Sequence, residues 1–260
     1  MSVLDLSAWQ LALALLLVVA VLAISVAQRL GFERDLAIGA VRTIVQLSLV
    51  GLILAAVFAA ATWYWVVLIL VVMTAVATHA AVSRLGRPLP GAYWIAATAL
   101  TVSTTATLAY VIGAVVQVRP WWEPQYIIPI AGMILGNSMT SAALAGDRLQ
   151  SDLRARRDEV EARLALGFSG RDALQPLVRA ALRAAMIPTV NAMMTVGVVQ
   201  LPGMMTGQIL AGSSPLLAIR YQIVVVFMQA AATAIGSLLF VRLAAGRYLT
   251  AAHQLRRYLL

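Results

Sequence analysis

Long runs without a charged side chain limit what this sequence can fold into. The first covers residues 6–28 and the second covers residues 43–83. A helix needs roughly 20 apolar residues to cross the hydrocarbon of a bilayer, and both runs are at least that long. A soluble domain needs more polar surface than this chain offers, since 62% of its 260 residues are hydrophobic and 11% are charged. The sequence therefore predicts an all-α, polytopic bundle of transmembrane helices.

The gaps between charged residues predict about seven spans. The run 43–83 is too long for one crossing, and we divide it at residues 62–65 because Trp and Tyr concentrate at the interface between membrane and water. The N-terminal residues lack the positive charges of a signal peptide, so we interpret the first run as a retained helix. The predicted spans cover residues 6–28, 37–60, 64–83, 92–117, 124–146, 184–201 and 221–241.

The positive side chains predict the orientation of the chain. All 19 of them are arginine, and cytoplasmic loops carry an excess of such residues. With the N-terminus outside and the C-terminus in the cytoplasm, every arginine except Arg119 and Arg220 falls on the inner side. A membrane surface therefore explains the net charge of +9 better than a nucleic-acid partner does. We expect a multi-pass protein of the cell inner (plasma) membrane.

Residue types that are missing exclude several kinds of chemistry. Without cysteine there is no disulfide and no thiolate metal site, and 2 histidines are too few for a histidine-rich one. The phosphate-binding loop of ATPases requires a lysine, which this chain lacks. No predicted span contains Asp or Glu. A bare trivalent cation would find few ligands there, which favours carbonyl and amide contacts or a chelated substrate.

The only long polar segment covers residues 147–183 and is predicted to be cytoplasmic. Gly167 is expected to stop a first helix, and Ser169 to cap a second, short one. Such an element can transmit force from a soluble partner to the spans, although an ordinary solvated loop shows the same charge pattern. Residues of opposite charge recur at helical spacing in the first helix: Asp152, Arg156, Glu159 and Arg163.

Within this segment, Glu161-Ala162 precedes Gly167 by six residues. The spacing resembles the EAA…G motif of ABC-transporter permeases, in which this loop docks on the ATPase subunit. By that resemblance, the residues expected to couple the chain to an ATPase are Glu161, Ala162, Gly167, Phe168 and Arg171.

Two longer stretches are more specific. One is Pro-Ile-Ala-Gly-Met-Ile-Leu-Gly-Asn-Ser-Met-Thr at residues 129–140, and the other is Pro-Gly-Met-Met-Thr-Gly-Gln-Ile-Leu-Ala-Gly at residues 202–212. Together with Arg-Thr-Ile-Val-Gln-Leu at residues 42–47, they resemble the Fet-type iron-export permease family, which is related to plant aluminium-tolerance permeases. The resemblance covers essentially the whole chain.

This resemblance implies a single permease domain over residues 1–260, with a coupling loop at about 147–183. It implies a homodimer that works with two copies of a separate cytoplasmic ABC ATPase, which binds ATP and Mg. The solute would be iron or another metal ion, or its complex, exported from the cytoplasm. The chain itself would then bind no cofactor and catalyse no reaction.

Polar side chains inside apolar helices are candidates for a translocation path, because a polar group in hydrocarbon needs a partner, water or solute. Hydrogen bonds between helices would satisfy the same groups, so both interpretations stay open. Gly132 and Gly136 precede Asn137 at a spacing that lets two helix backbones approach closely. The path candidates are Gln46, Asn137, Thr140, Asn191 and Gln200.

The segment 202–215 is apolar, rich in Gly and Pro, and predicted to lie on the outer side. It forms either a re-entrant hairpin that closes the outer mouth or a tight loop. The residues of this outer-gate motif are Pro202, Gly203, Met204, Met205, Thr206, Gly207 and Gln208.

A secondary transporter of a small solute is the main alternative to an ATP-driven permease. It needs intramembrane carboxylates for ion coupling, or inverted repeats, and we find neither in the sequence. A membrane scaffold or assembly protein is a further alternative.

Overall fold

The fold is built from helices. The computed structural model describes residues 7–60, 62–87, 89–250 and 252–259, and within these ranges there are two isolated bridges but no strand. The predicted all-α class is confirmed. The helices are α1 Ala8–Gln28, α2 Glu33–Ala60, α3 Trp63–Ser83, α4 Ala92–Tyr110 with a π-helical extension Val111–Val116, α5 Pro124–Ala155, α6 Arg157–Ala165, α7 Gly170–Thr195, α8 Gly203–Leu210 and α9 Pro215–Arg247, followed by a 3-10 turn Arg257–Leu259.

The chain divides into two compact units, of which the first contains α1 and α2 together with Leu210–Gly212. α1 begins with a capping box, in which Ser7 and Gln10 satisfy each other's backbone N–H groups. The Ser25 hydroxyl donates to the Glu33 carboxylate at 2.7 Å and ties α1 to α2. Most side chains of these two helices are exposed, as is expected where lipid surrounds them. The predicted start of the first span, at residue 6, lies outside the described residues.

The second unit, Thr62–Ile209 with Ser213–Leu260, contains α3 to α7, nearly all of α8, and α9. α5 is at its centre and packs against α3, α4, α7 and α9. Gly146 makes the closest approach, since a Cβ there would lie 2.6 Å from Leu85 Cδ2 and 2.7 Å from Phe240 Cε1. Small side chains also let these helices pack closely. The fully buried alanines of the described residues are Ala81, Ala96, Ala99, Ala131, Ala142, Ala145, Ala173, Ala181, Ala185, Ala218 and Ala232.

α5 is longer than the sequence predicts. The predicted span ends at residue 146, whereas α5 continues to Ala155. Leu149 and Leu153 are fully buried and continue the apolar stripe of Ala145 in steps of four residues. Charges on the other faces therefore do not end the helix, because its buried stripe stays apolar.

α7 also differs from the prediction. It starts at Gly170 and ends at Thr195, whereas the predicted span covers residues 184–201. The expected second, short helix after Ser169 is therefore wrong, because Ser169 caps a helix of 26 residues that continues into the predicted span. The polar segment 147–183 consists of the ends of two long helices around the short α6.

Among the described residues, six helices are long and apolar enough to cross a membrane, namely α1 to α5 and α9. The predicted division of the run 43–83 is confirmed, since α2 ends at Ala60 and α3 begins at Trp63. α7 is not one of the six. The count of seven spans and the orientation of the termini stay predictions.

Candidate functional site

The connection between α5 and α7 forms an elbow, which we define as residues 156–172. α6 ends at Ala165, and Gly167 then turns the chain with a φ of +88°, a conformation that residues with a Cβ rarely adopt. The Ser169 hydroxyl accepts the backbone N–H of Asp172 at 3.2 Å and caps α7. The predicted sequence of helix, glycine stop and helix cap is confirmed.

Ion pairs hold the first helix of the elbow. Glu159 accepts hydrogen bonds from Arg156 at 2.7 Å and from Arg163 at 2.9 Å, as their spacing predicts. Asp152 differs, since it pairs with Arg148 at 3.0 Å, one turn earlier in α5. The hydrogen bond from Arg156, assisted by the charge of Arg163, lowers the pKa of Glu159, so its carboxylate stays charged at neutral pH.

Glu161 is bound within the chain. Its carboxylate accepts two hydrogen bonds from Arg257, at 2.9 Å and 2.7 Å, and one from Arg157 at 3.0 Å. The hydrogen bonds from Arg257, followed by the one from Arg157, lower the pKa of Glu161. The carboxylate thus fastens the C-terminal segment to the elbow, and its expected role toward an ATPase stays a prediction.

The C-terminal segment, which we define as residues 248–250 and 252–259, also covers the start of α7. Leu249 and Leu255 form an isolated bridge, which folds the segment back on itself. His253 Nδ1 accepts the backbone N–H of Gly170 at 3.1 Å. A Cβ on Gly170 would lie 2.6 Å from Leu249 Cδ1, so a larger residue would require the Leu249 side chain to move.

The tip of the elbow exposes apolar side chains to solvent. Leu166 is 78% exposed and Phe168 is 49% exposed. Ala162, Gly167 and Arg171 are exposed as well, so four of the predicted coupling residues lie on the surface. Sequence reasoning missed Leu166. Its position next to the glycine that ends the helix could have identified it. An apolar residue after the end of a helix does not lie on the buried face of that helix, so its side chain is expected to be exposed.

Within the second unit, α5, α7, α8 and α9 surround a cavity of ≈ 410 Å³, which we call the polar cavity. None of the residues that line it carries a charge. Thioether and aliphatic side chains complete the wall, with methionines from three helices. The polar residues of the lining are Asn137, Thr140, Ser141, Thr189, Gln200, Gln222 and Gln229.

The polar cavity contains three of the five path candidates, namely Asn137, Thr140 and Gln200. Asn191 and Gln46 are not among its lining residues. Asn191 is exposed on another face of α7, because the face toward the cavity is the one that presents residues 189, 192, 193 and 196. Gln46 is exposed on α2, in the first unit.

A tight turn after α7 brings Gln200 to the cavity. Gly197 has a φ of +84°, and its N–H donates to the Gln200 carbonyl at 2.9 Å. The turn ends α7 at Thr195, earlier than predicted, because Val196 already has an extended conformation.

The outer-gate motif contains a two-turn helix, α8, and is therefore not the simple tight loop that was one of its two predicted forms. The Thr206 hydroxyl donates to the Pro202 carbonyl at 3.1 Å across its first turn. Pro202, Gly203 and Met204 line the polar cavity, and Met205 lines a neighbouring apolar cavity. Thr206, Gly207 and Gln208 line neither of these cavities. Re-entry of this segment into the membrane stays a prediction.

Sequence reasoning missed two amides on α9, Gln222 and Gln229. They stand seven residues apart and therefore on one face of the helix. The rule that identified Asn137, an amide within an apolar helix, identifies both when it is applied to the last span. Gln222 is only 7% exposed, and its Oε1 has no hydrogen-bond partner among the described residues.

On α5, the cavity residues Asn137 and Thr140 form side-chain hydrogen bonds within their own helix. Asn137 Nδ2 donates to the Met133 carbonyl at 3.0 Å, and the Thr140 hydroxyl donates to the Gly136 carbonyl at 3.0 Å. Asn137 therefore makes a hydrogen bond within its own helix and not the hydrogen bond to another helix that the sequence left open. In the part of the chain that the structure describes, no group of three His, Asp or Glu could hold a metal ion. Neutral amide, hydroxyl and thioether groups are thus what the cavity offers a solute.

Known proteins resemble the chain along most of its length. The profile of the family described as "Uncharacterised protein family (UPF0014)" matches residues 8–249. UPF0014 membrane protein slr1647 of Synechocystis is 45% identical over 190 residues, which are 72% of this chain and 72% of that protein. Protein ALUMINUM SENSITIVE 3 of Arabidopsis thaliana is 34% identical over 247 residues, 95% of this chain and 89% of that protein. Probable iron export permease protein FetB of Escherichia coli is 35% identical over 247 residues, 94% of this chain and 93% of that protein. No solved structure matches the chain.

Proposed function

Because the chain belongs to the UPF0014 family of membrane proteins, we propose that it is the permease subunit of an ATP-driven exporter in the cell membrane. The solute is iron or another metal ion, or a complex of it. This choice is supported by the similarity to the probable iron export permease, which extends over 94% of the chain. A separate ATPase binds ATP and Mg, and this chain binds neither.

The observation that carries the proposal is the exposed apolar tip of the elbow. Leu166 and Phe168 are 78% and 49% exposed, and they lie between two helices whose positions are held by ion pairs and by the C-terminal segment. Exposed apolar groups beside a charged surface mark a site of protein contact. α7 leads directly from this tip to the polar cavity, since Pro188, Thr189, Ala192 and Met193 near its end contribute to the lining. A displacement of the tip by the ATPase is therefore transmitted along α7 to the candidate path.

The experiment is reconstitution of the chain in proteoliposomes with a candidate ABC ATPase of the same organism. Metal efflux and ATP hydrolysis are measured together. We expect efflux that requires ATP, and ATPase activity that rises when the permease is present. Replacing both Leu166 and Phe168 by Ser should abolish the stimulation of the ATPase and the efflux, because the contact loses its apolar anchors.

A matched control is Leu216→Ser at the start of α9, where the side chain is 72% exposed and lies away from the elbow in sequence and helix. It should leave coupling unchanged. Efflux driven by an ion gradient without ATP would instead support the secondary transporter. Normal stimulation of the ATPase by the double variant would contradict the assignment of the elbow as the coupling element.

The active form is proposed to be a homodimer with two ATPase subunits, as the family resemblance implies. The mass of the detergent-purified chain, measured by light scattering with the detergent subtracted, checks this. Two copies per particle are expected, and one copy that still exports metal would contradict it.

A further inference from the structure

The polar cavity presents oxygen atoms that lack a hydrogen-bond donor. Gln222 Oε1 is buried and meets no donor in the described part of the chain. The Thr140 hydroxyl uses its proton on the Gly136 carbonyl at 3.0 Å, which leaves only lone pairs for the cavity. Asn137 directs its Nδ2 at the Met133 carbonyl at 3.0 Å, so its Oδ1 is the end of the amide that no bond within α5 occupies. Together these atoms form a set of neutral acceptors.

Neutral acceptors are poor substitutes for the inner ligands of a divalent or trivalent ion. No lining residue is charged, so a metal ion that shed its water here would lose hydration without gaining a carboxylate. An ion that keeps its water shell needs no such ligand, because the waters it binds present O–H donors outward. Mg²⁺ is an example of a divalent ion that releases its water reluctantly and is usually bound with several waters in place.

We propose that the polar cavity takes a divalent metal ion with its water shell intact. The ion is recognised through hydrogen bonds from its water ligands to Gln222 Oε1, Thr140 Oγ1 and Asn137 Oδ1, and no protein atom enters its inner shell. This inference rests on the proposed export of a metal and specifies the form in which the metal is moved.

The size of the cavity fits this cargo. A shell of about six waters at about 30 Å³ each occupies roughly 180 Å³, which the ≈ 410 Å³ of the polar cavity contains with room for further waters.

Hexaamminecobalt(III) tests this form of recognition, because its ammine ligands do not exchange and can only donate N–H hydrogen bonds. The purified full-length chain in lipid nanodiscs is titrated with manganese(II) chloride and with hexaamminecobalt(III) chloride, and the two are then mixed. We expect both ions to bind and to compete for one site. Binding of manganese(II) that the cobalt complex neither shares nor displaces would show inner-shell ligation and overturn the inference. Sorbitol is the uncharged donor control, and competition by sorbitol as strong as that of the cobalt complex would also overturn it.

Variants locate the site. Gln222→Leu should weaken the binding of both ions by about tenfold or more. The ligands of the charged complex donate hydrogen bonds, and the variant removes the buried Oε1 that accepts one of them. Gln222→Glu keeps the shape of the side chain and should instead strengthen the binding of both ions. The matched control is Asn191→Leu, the same exchange of an amide for leucine outside the cavity, and it should change neither affinity. Wild-type affinities in both Gln222 variants would overturn the inference.

The result is separable from that of the proposed function. ATP-driven metal efflux with no effect of hexaamminecobalt(III) would leave the exporter in place and overturn only the hydrated form of the cargo. Absence of both metal binding and metal efflux would overturn the proposed function, and the inference with it.

Discussion

Glu161 and Arg257 form a bidentate ion pair, although they are 96 positions apart in the sequence, with nitrogen–oxygen distances of 2.9 Å and 2.7 Å. The pair joins the last residues of the chain to α6, the helix that leads to the exposed tip of the elbow. Paired hydrogen bonds of this kind fix orientation as well as distance. The C-terminal segment is therefore a structural part of the elbow, and the elbow depends on contacts that are remote in sequence.

Removing the charge of Glu161 should loosen the C-terminal segment. In Glu161→Gln the side chain keeps its shape but no longer attracts Arg257, so we expect trypsin to cleave after Arg256 and Arg257 several-fold faster. The control is Glu159→Gln, which removes ion pairs of the same helix that do not reach the C-terminal segment. Equal cleavage rates in the two variants would show that the pair does not hold the segment.

The same contact should be insensitive to pH down to the acid range. The pKa of Glu161 lies below its ordinary value of 4.5 because Arg257 and Arg157 donate to the carboxylate. A lowered pKa in the folded state means that the stabilisation is complete above the ordinary value and is lost as the pH falls through the lowered one. Hydrogen exchange of residues 252–259, corrected for its intrinsic pH dependence, should thus stay slow from pH 7 to about pH 5. Protection that is lost within that interval would contradict the assignment.

Gly146→Ala should destabilise the bundle. The added methyl group would lie 2.6 Å from Leu85 Cδ2 and 2.7 Å from Phe240 Cε1, and Phe240 is only 1% exposed and has no room to move. Overpacking of this kind costs about 1–3 kcal/mol. Gly136→Ala is the matched control in the same helix, because nothing lies within 4 Å of its Cβ position. Thermal unfolding in detergent should separate the two, and equal stability would show that α5 and α9 are not packed this closely.

Asn137→Leu should separate packing from transport. The hydrogen bond of Asn137 lies within its own helix, so the loss of stability should stay within about 1 kcal/mol. Metal efflux should fail, since the cavity exchanges an acceptor for an apolar side chain. Melting temperature and efflux are measured on the same purified variant, beside Asn191→Leu, which should change neither. Unimpaired efflux would remove Asn137 from the path.

The arginine distribution predicts a cytoplasmic C-terminus. A reporter enzyme that is active only outside the cytoplasm, fused after Leu260, should be silent. The same reporter inserted next to Arg119, in the connection before α5 that is predicted to lie outside, should be active. Activity at the C-terminus would overturn the orientation or the odd number of spans.

Local features of the fold were predictable from the sequence. The division between α2 and α3, the glycine stop at Gly167 and the cap at Ser169 all follow from interactions within a few residues. Gly167 is an example, because a left-handed conformation after a helix strains a residue with a Cβ and therefore favours glycine whatever surrounds it. The membrane class was likewise determined by the sequence, since the length of an apolar run and the thickness of a bilayer are compared directly.

The tertiary structure decided which residues meet. Asn137 and Asn191 are equivalent in sequence, each an amide in an apolar stretch, yet only Asn137 lines the polar cavity. Gln222 joins it from the last predicted span, whose amides were not among the predicted path residues, and Glu161 meets Arg257 from the far end of the chain. The rotation of each helix about its axis depends on all of the helices that pack against it. Every buried side chain must fit the space available, and every buried polar group needs a hydrogen-bond partner. No stretch of sequence contains that information by itself.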